Sequence, residues 1–267
     1  MSVVDRPARR WYHASTRLEH CLRVIYRVDP AALRHAVAAG FEPTVFGFDD
    51  GTSASLVCAV AFVDRGFSFR FCPWLKVTGG QIDYAAYGSM GGERGVWFFG
   101  SSLDSRFVVL PQLAWRMPVH RDRVRVEAEQ DSTTDVSRVR VTSAGSWGTA
   151  ACDVDATGKP AGRLDGFASA AATAEVLTLP MVGWFARRPW RGSVRPAHQA
   201  APVIARYSVW HPHVEAQACL VRHARFTVFE DLGLVTRDAE PHAALFHPRV
   251  QFDVHIPPRR LPRAGPA

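Results

Sequence analysis

Polar side chains recur on one face of a short, otherwise apolar segment, and their types suit acid–base chemistry. In QIDYAAY (81–87), strand alternation places Gln81, Asp83 and Tyr87 on one face. Asp83 could act as a base or orient a histidine, Tyr87 could donate to an oxyanion, and Gln81 could contact a substrate. The alternative is a polar strand face in contact with water. The segment therefore predicts either the lining of a cavity or a solvated face.

A second group of candidates lies in the stretch WRMPVHRDR, where a proline stops a helix-like segment. His120 is a candidate general acid or base, because an unperturbed imidazole titrates near neutral pH. Arg116 could hold a carboxylate through two hydrogen bonds if its side chain turns inward. The alternatives are a histidine at a helix end, bonded to a carbonyl or exposed, and an arginine on the surface. Trp97 and Trp115 are predicted to pack in the core or to line its cavity.

The pair His211 and His213 has an H-x-H spacing, which can begin a zinc or iron site. Pro212 between them indicates a structural turn instead, and the spacing identifies no third ligand. The sequence contains no GxGxxG or GxxxxGK[ST] phosphate-binding motif and no GxSxG nucleophile motif. We therefore predict no metal site and no cofactor, and leave open a metal at the histidine pair.

The elements that would position these residues are mostly short strands. Segments rich in β-branched and aromatic residues predict strands at 22–28, 44–48, 55–63, 67–71, 81–87 and 95–100. Further strands are predicted at RVRVEAE, SRVRVTSA, GTAACDVDA, ARYSVWH, EAQACLVRHARFTVF and VQFDVHI. Many strands and few helices indicate a mainly β (α+β) chain that forms a closed or nearly closed antiparallel barrel or sandwich.

Four connecting segments are predicted to be helical or irregular. An Asp-Pro start and a glycine end predict a helix within 29–40. Residues 105–117 are typical of a short helix or helix-like crossover, and 164–179 of a second helix. The stretch 180–202 is rich in Pro, Gly and Arg and is predicted to be mostly loop. Whether it forms a lid or an interface arm stays open.

The composition bounds the class of protein. The 267-residue chain is 47% hydrophobic, which suffices for one large core or two small ones. Its longest apolar run, 56–63, is far shorter than the roughly 18 residues of a membrane span. The N-terminus lacks the apolar region of a secretion signal, and five widely spaced cysteines indicate reduced core thiols. These observations predict a cytoplasmic protein with no membrane partner.

The formal net charge of +7 comes mostly from arginines in the first ten and last twelve residues. The remainder is near balance and contains no recognised nucleic-acid motif, so we predict no nucleic-acid partner. Because both charged ends are short and polar, we expect a flexible segment over 1–16 and a basic tail over 259–267. One barrel domain is expected over 17–258, and whether it forms a homo-oligomer stays open.

Several segments, in the same order along the chain, resemble the acetoacetate decarboxylase-like superfamily. IYRVDPAALRHAVAAGFEP (25–43) is similar to its entry strand and first helix. GERGVWFFGSSLDSRFVVLPQLAWRMPVH (92–120) resembles the YqjF-like branch, a widespread bacterial family of unsettled function. SVWHPHVEAQA (208–218) and LFHPRVQFDVHIPPRRL (245–261) are similar to the C-terminal half of that branch. The resemblance implies an acetoacetate-decarboxylase-like antiparallel β-barrel or cone with a few flanking helices.

The same resemblance identifies a difference in chemistry. In acetoacetate decarboxylases the proline of this turn is followed by two lysines, the first of which forms a Schiff base with the substrate ketone. Here Pro118 is followed by Val119 and His120. The two lysines of this chain, Lys76 and Lys159, are predicted to lie in a loop and an exposed turn. We therefore do not expect a lysine Schiff base, and His120 takes the place of the second lysine.

The leading interpretation is a small-molecule-binding barrel. It could transform an oxo- or carboxyl-bearing substrate by acid–base chemistry in a lyase, dehydration or cyclisation step. The predicted catalytic residues are His120, Asp83 and Tyr87, and the predicted substrate contacts are Gln81, Arg116, Trp97 and Trp115. One alternative is a non-catalytic carrier of a hydrophobic small molecule. The other is a structural homodimer with a filled barrel.

Overall fold

Strands make up most of the described chain. The computed structural model describes residues 6–130, 137–188, 202–213 and 215–262. Its strands are β1 (Ala14–Val28), β2 (Phe41–Pro43), β3 (Val45–Gly47), β4 (Ser53–Phe69), β5 (Val77–Met90), β6 (Glu93–Leu103), β7 (Val119–Arg121), β8 (Arg123–Gln130), β9 (Ser137–Ala144), β10 (Thr149–Pro160), β11 (Val182–Ala186), β12 (Ile204–Trp210), β13 (Gln217–Phe226) and β14 (Ala243–Arg260). Its α-helices are α1 (Pro30–Ala36), α2 (Ala170–Leu177) and α3 (Thr227–Asp231). The prediction of a mainly β chain with a few helices is confirmed.

Seven of these strands close into a barrel. They pair in the order β1–β4–β5–β6–β11–β12–β14, and β14 pairs with β1 to complete the ring. Six of the seven pairings are antiparallel, as expected, whereas β11 runs parallel to β6, with Gly183 opposite Val96. A parallel pair needs a long crossover connection. Here that connection contains β7 to β10 and α2.

A β-bulge on β6 resets which of its residues face the barrel interior. Tyr84 on β5 lies opposite Gly100, whereas the next residue, Ala85, lies opposite Phe98. β6 therefore carries one extra residue at this point, and a bulge of this kind interrupts the in-and-out alternation of side chains. As a result Phe98 and Ser101, an odd number of positions apart, both line the interior.

A second irregularity lies in β1. Its register against β4 shifts between Glu19 and Leu22, where His20 has a left-handed backbone with φ of 55°. Beyond this shift, Leu22 and Val24 face outward into the main hydrophobic core, and Arg23 faces the barrel interior. The bulge thus places an arginine inside the barrel.

The main core lies outside the barrel wall. β13, β10, β9 and β8 form an antiparallel sheet against the outer faces of β1, β4 and β5. Val139, Val141 and Val154 from this sheet are fully buried against residues such as Leu22 and Tyr84. This second layer accounts for the alternation of small apolar residues in RVRV and CDVDA, because one face of each strand packs inward.

The first helix begins where the sequence predicts but is shorter, whereas α2 begins at Ala170, six residues after the predicted start, and α3 lies where a strand was predicted. The carboxylate of Asp29 accepts a hydrogen bond from Ala31 N (3.0 Å), and α1 ends at Ala36, before the expected glycine. The segment 105–117 forms a 3₁₀ turn over Arg106–Val108 and a π-helical turn over Pro111–Trp115. Pro111, the first residue of the second turn, disfavours one continuous helix. No helix in the described ranges is long and apolar enough to span a membrane.

The stretch 180–202 departs from the loop prediction. Its residues Val182–Ala186 form β11, a strand of the barrel wall, and Gly183 approaches Tyr207 so closely that a Cβ would lie 2.4 Å from its ring. The strand has only five residues, and the prolines and arginines around it led to the loop prediction. Residues 189–201 lie outside the described chain, so the choice between lid and interface arm concerns that part alone.

The barrel also extends beyond the predicted domain bounds. β1 begins at Ala14, inside the segment expected to be flexible, and β14 continues to Arg260, inside the expected tail. Before β1, the Arg6 guanidinium forms two hydrogen bonds with Asp253 (2.8 and 3.0 Å). Pairing with neighbouring strands therefore orders residues that their composition alone assigned to the ends.

Candidate functional site

The barrel encloses a cavity of about 360 Å³. Much of its wall consists of phenylalanine rings, namely Phe62, Phe67, Phe69, Phe98, Phe107 and Phe252. Polar side chains also line it, among them Arg23, Asp64, Gln81, Asp83, Tyr87, Ser101, His211 and His247. An apolar cavity with a few polar groups is typical of a small-molecule site. The barrel therefore contains space for a small molecule, as a small-molecule-binding barrel requires.

Five residues of the cavity wall, one on each of five neighbouring strands, form a row that runs across the strands and begins at Arg23. Strand register pairs Arg23 with Val60, Val60 with Asp83, Asp83 with Ser101 and Ser101 with Val119. All five line the cavity. Because neighbouring strands lie about 4.8 Å apart, the Arg23 and Asp83 backbones are about 10 Å apart. One small molecule can therefore contact both side chains.

Asp83 has the environment of an acid–base group. Its Oδ1 accepts hydrogen bonds from Gln81 Nε2 (2.7 Å) and Ser101 Oγ (2.5 Å). Burial raises the pKa of the carboxyl to about 6, although these two hydrogen bonds favour the ionised form. Both donors bind Oδ1, so neither occupies Oδ2. The carboxyl can therefore exchange a proton near neutral pH while its orientation stays fixed.

Arg23 brings a buried positive charge to the same cavity. Its Nε and Nη1 are buried and have no hydrogen-bond partner among the residues that the structure describes. An unsatisfied guanidinium in a protein interior is costly. A carboxylate ligand would satisfy it, because the guanidinium fork matches the two oxygens of that group.

Tyr87 lies on the same face of β5 as Asp83 and also lines the cavity. Its hydroxyl, however, donates a hydrogen bond to the backbone carbonyl of Leu177 (3.1 Å). Burial raises the pKa of the phenol, so it stays protonated. Its proton is held by the protein, and the structure does not present Tyr87 as a free donor to an oxyanion.

Val119 and His120 lie on opposite sides of β7. Ser101 N donates to Pro118 O (3.0 Å), an approach permitted by Gly100, where a Cβ would lie 2.3 Å from the same oxygen. This pairing turns Val119 into the cavity. The residue directly after Pro118 is thus inside the barrel, and it is a valine.

His120 is directed away from the cavity. Its ring stacks on Trp147 at 4.2 Å, with the two planes 7° apart, and its Nε2 lies 2.7 Å from Nη2 of Arg188. Burial, followed by the positive charge of Arg188, lowers the pKa of His120 to about 4. The structure therefore separates His120 from Asp83 and Tyr87, with which it was predicted to form one polar centre.

The predicted substrate contacts divide between two sides of the wall. Gln81 and Trp115 line the cavity, and the Trp115 carbonyl accepts a hydrogen bond from Arg187 Nε (3.0 Å). Trp97 instead packs in the main core, where its ring lies 5.7 Å from that of Phe41. Arg116, at a left-handed turn with φ of 56°, is not one of the lining residues.

The histidine pair does not converge on a common point. β12 ends at Trp210, so His211 and His213 lie in the following loop rather than on a strand. His211 lines the cavity, stacks on Phe252 at 5.4 Å and has a pKa lowered to about 4 by burial, whereas His213 is exposed. Among the described residues, no group of three or more His, Cys, Asp or Glu is placed to hold a metal ion.

Three residues of the site escaped the sequence analysis: Arg23, Ser101 and Asp64. Arg23 and Ser101 follow the two bulges, so their inward orientation could not be counted from the alternation. Asp64 accepts a short hydrogen bond from Thr16 Oγ1, and burial raises the pKa of its carboxyl to about 7. The only signal for Asp64 was an acid directly after the apolar run of β4.

Solved structures with this fold are acetoacetate decarboxylase-like proteins. An acetoacetate decarboxylase-like enzyme from Sphingomonas wittichii RW1 matches with a TM-score of 0.62 and 13% identity, over 95% of this chain and 94% of that one. The enduracididine biosynthesis enzyme MppR complexed with pyruvate matches with a TM-score of 0.59 and 13% identity, over 95% and 91%. Acetoacetate decarboxylase from Legionella pneumophila matches with a TM-score of 0.58 and 10% identity, over 96% and 92%. At these identities the likeness establishes the fold alone.

Sequence comparison gives the family. No curated protein sequence matches the chain. The family model DUF2071, described as an uncharacterized conserved protein, matches residues 15–251. That range contains the whole cavity row, from Arg23 to Val119. The resemblance to the YqjF-like branch of the acetoacetate decarboxylase-like superfamily is confirmed, and the chain belongs to the DUF2071 family.

Proposed function

We propose that this protein binds a small carboxylate-bearing oxo compound in the barrel and moves a proton on it through Asp83. The observation that carries the proposal is the buried Arg23 guanidinium, whose Nε and Nη1 lack partners among the described residues and which shares a row with Asp83. A carboxylate bound by Arg23 would place the adjoining carbonyl and its neighbouring carbon toward Asp83.

The chemistry that follows is proton abstraction next to a carbonyl. Asp83, held through Oδ1 by Gln81 and Ser101, would take a proton from that carbon and later return it. The negative charge that develops on the oxo oxygen would lie in a cavity that already contains the Arg23 cation. Lyase, dehydration and cyclisation reactions of oxo acids can each begin with this step.

An imine route has little support in this cavity. Lys76 and Lys159 are the only lysines in the sequence, and both are exposed. Neither is one of the lining residues. Asp83 therefore replaces a lysine as the proposed reactive group, and the chemistry is acid–base rather than covalent.

A solvent-exchange assay tests the proposal without knowledge of the product. We expect the protein to accelerate exchange of the hydrogens next to the carbonyl of pyruvate or phenylpyruvate in D₂O, followed by ¹H NMR. Asp83→Asn should slow this exchange about 100-fold, the scale of a lost general base, while calorimetric affinity is kept. The exposed Asp104→Asn is the control and should behave as the original protein.

The second candidate function is that of a carrier, which the phenylalanine-rich wall favours. A carrier would bind the same compounds equally well before and after Asp83→Asn, and neither form would accelerate exchange. Native mass spectrometry of the purified protein, compared with the denatured sample, would show whether it retains an organic ligand.

Installing an amine at the decarboxylase position tests the geometry of the row. We expect Val119→Lys to form an imine with pyruvate, with loss of water, because a buried amine has a lowered pKa and is more often unprotonated. Borohydride reduction should then add one reduced pyruvate, detected by mass spectrometry. His120→Lys is the matched control, since its side chain lies outside the cavity. Equal labelling of both variants would contradict the assigned faces of β7.

A further inference from the structure

Large apolar side chains are exposed around the mouth of the cavity. Trp74 is 78% exposed and Trp11 is 68% exposed, values unusual for indole rings. We define the mouth rim as these exposed residues on three segments: Trp11; Phe71, Trp74 and Leu75; and Phe107, Val109, Leu110 and Leu113. Clustered exposed apolar residues mark an interaction surface rather than ordinary surface composition.

The mouth rim is continuous with the cavity. The Trp11 ring lies 5.8 Å from that of Phe71, which stacks at 5.2 Å on Phe69, a residue of the cavity wall. Leu75, Phe107 and Leu110 belong to both the rim and the wall. An apolar molecule could therefore move from the rim into the cavity along apolar surface.

The two larger segments of the mouth rim also lie side by side. Asp104 N donates a hydrogen bond to Gly80 O (2.9 Å), and a Cβ on Gly79 would lie 2.6 Å from Asp104 O. This contact joins the turn after β6 to the first residues of β5, a strand that begins two residues after Leu75. The exposed residues before β5 and after β6 thus flank one opening.

Positive charge accompanies these apolar residues. Four exposed cations, Arg10, Arg70, Lys76 and Arg106, are each next to a rim residue in the sequence, and the exposed acid Asp104 lies three residues from one. Exposed tryptophan and leucine beside arginine and lysine are typical of surfaces that bind the interface of an anionic bilayer. On surfaces of this kind, the aromatic rings enter the headgroup region of the bilayer and the cations pair with lipid phosphates.

We propose that the mouth rim docks on an anionic membrane surface, so that a ligand with a large apolar part passes between the bilayer and the cavity. A second copy of the chain fits the rim less well. A symmetric contact between two copies would bring the same four cations together across one interface. The bilayer supplies both the apolar layer and the opposite charge, and this inference is independent of proton transfer at Asp83.

Vesicle flotation with the full-length protein tests the proposal. We expect the protein to float with vesicles of equal parts phosphatidylcholine and phosphatidylglycerol, and at least ten-fold less with phosphatidylcholine alone. Phe71→Ser combined with Trp74→Ser should reduce binding to the anionic vesicles at least ten-fold, and Arg70→Glu combined with Lys76→Glu should do the same. Leu220→Ser, at an exposed leucine on β13 outside the rim, should leave binding unchanged.

Thermal melts of each variant establish that its fold is intact before vesicles are added. Absence of flotation with the anionic vesicles would overturn the proposal, and so would equal binding to both vesicle types. Light scattering coupled to gel filtration measures the oligomeric state, and so tests whether a second copy of the chain covers the rim instead. A dimer that the Phe71→Ser, Trp74→Ser variant dissociates, without vesicle binding by the original protein, would assign the rim to a second copy and overturn the proposal.

Discussion

Asp83→Asn should make the protein more stable at pH 8, by about 2–3 kcal/mol in the free energy of unfolding. Burial raises the pKa of this carboxyl from 3.8 to about 6 in the folded state. Above pH 6 the folded protein must therefore hold a buried carboxylate, which costs free energy that a neutral amide does not. An asparagine Oδ1 can still accept the hydrogen bonds from Gln81 and Ser101.

The sign of the pH dependence follows from proton binding. Between pH 4 and pH 6 the folded state binds more protons at Asp83 than the unfolded state, so this residue's contribution to stability falls as pH rises. The advantage of Asp83→Asn should therefore be small at pH 4, grow to pH 6 and level off above it. Urea denaturation at several pH values measures it as the difference between the two proteins.

That difference isolates Asp83 from other groups that titrate in the same range. The raised pKa of Asp64 acts in the same direction, and the lowered pKa values of His120 and His211 act in the opposite one. Asp104→Asn, on the surface, is the control and should shift stability little at any pH. An Asp83→Asn variant that is less stable at pH 8 would show that the carboxylate is a structural group.

The elements were predictable from the sequence where the signal is local. Strand alternation over 81–87 correctly gave the shared face of Asp83 and Tyr87, and the Asp29 cap located the start of α1. Local sequence patterns do not show whether a given face of a strand is covered by other parts of the protein or by water. Whether Asp83 meets water or a cavity depends on closure of β14 onto β1, between residues more than two hundred positions apart.

The bulges limited the identification of the site. Arg23 and Arg27 lie four positions apart on β1, and each stands between two apolar or aromatic residues in the sequence. Arg27, near the end of β1, does reach the carboxylates of Asp50 (2.8 Å) and Asp165 (2.5 Å), whereas the barrel closes over Arg23. Arg23 and Arg27 are thus only four residues apart on one strand, yet Arg27 is a surface charge with ion-pair partners and Arg23 is a buried charge.

The family resemblance pointed to the turn at Pro118 but did not give the orientation of the residues that follow it. Val119 and His120 are adjacent in sequence, and the pairing of β7 with β6 decides which of them enters the cavity. The prediction of no membrane partner rests on the lack of one long apolar run, and it stays a prediction. The mouth rim is assembled from three short segments, which a search for continuous apolar stretches does not detect.

Arg23→Met should weaken binding of phenylpyruvate at least 30-fold and at the same time stabilise the empty protein by about 1–3 kcal/mol. Methionine has a similar length without the charge. It therefore removes the proposed carboxylate partner, and it also removes the cost of a buried guanidinium whose Nε and Nη1 find no hydrogen bond among the described residues. Loss of one partner of a buried ion pair is expected to cost this much affinity. Calorimetry measures the binding, and urea denaturation without ligand measures the stability.

Arg27→Met is the matched control, because it makes the same substitution four residues further along the same strand. Arg27 is already paired with Asp50 and Asp165, and its guanidinium lies 3.6 Å from the centre of the Phe48 ring. Its loss should lower stability by about 1 kcal/mol and leave ligand affinity unchanged. The two arginines should thus respond with opposite signs in stability. A lower stability for Arg23→Met, with ligand affinity kept, would mean that Arg23 is a structural residue of the barrel and that the carboxylate is bound elsewhere.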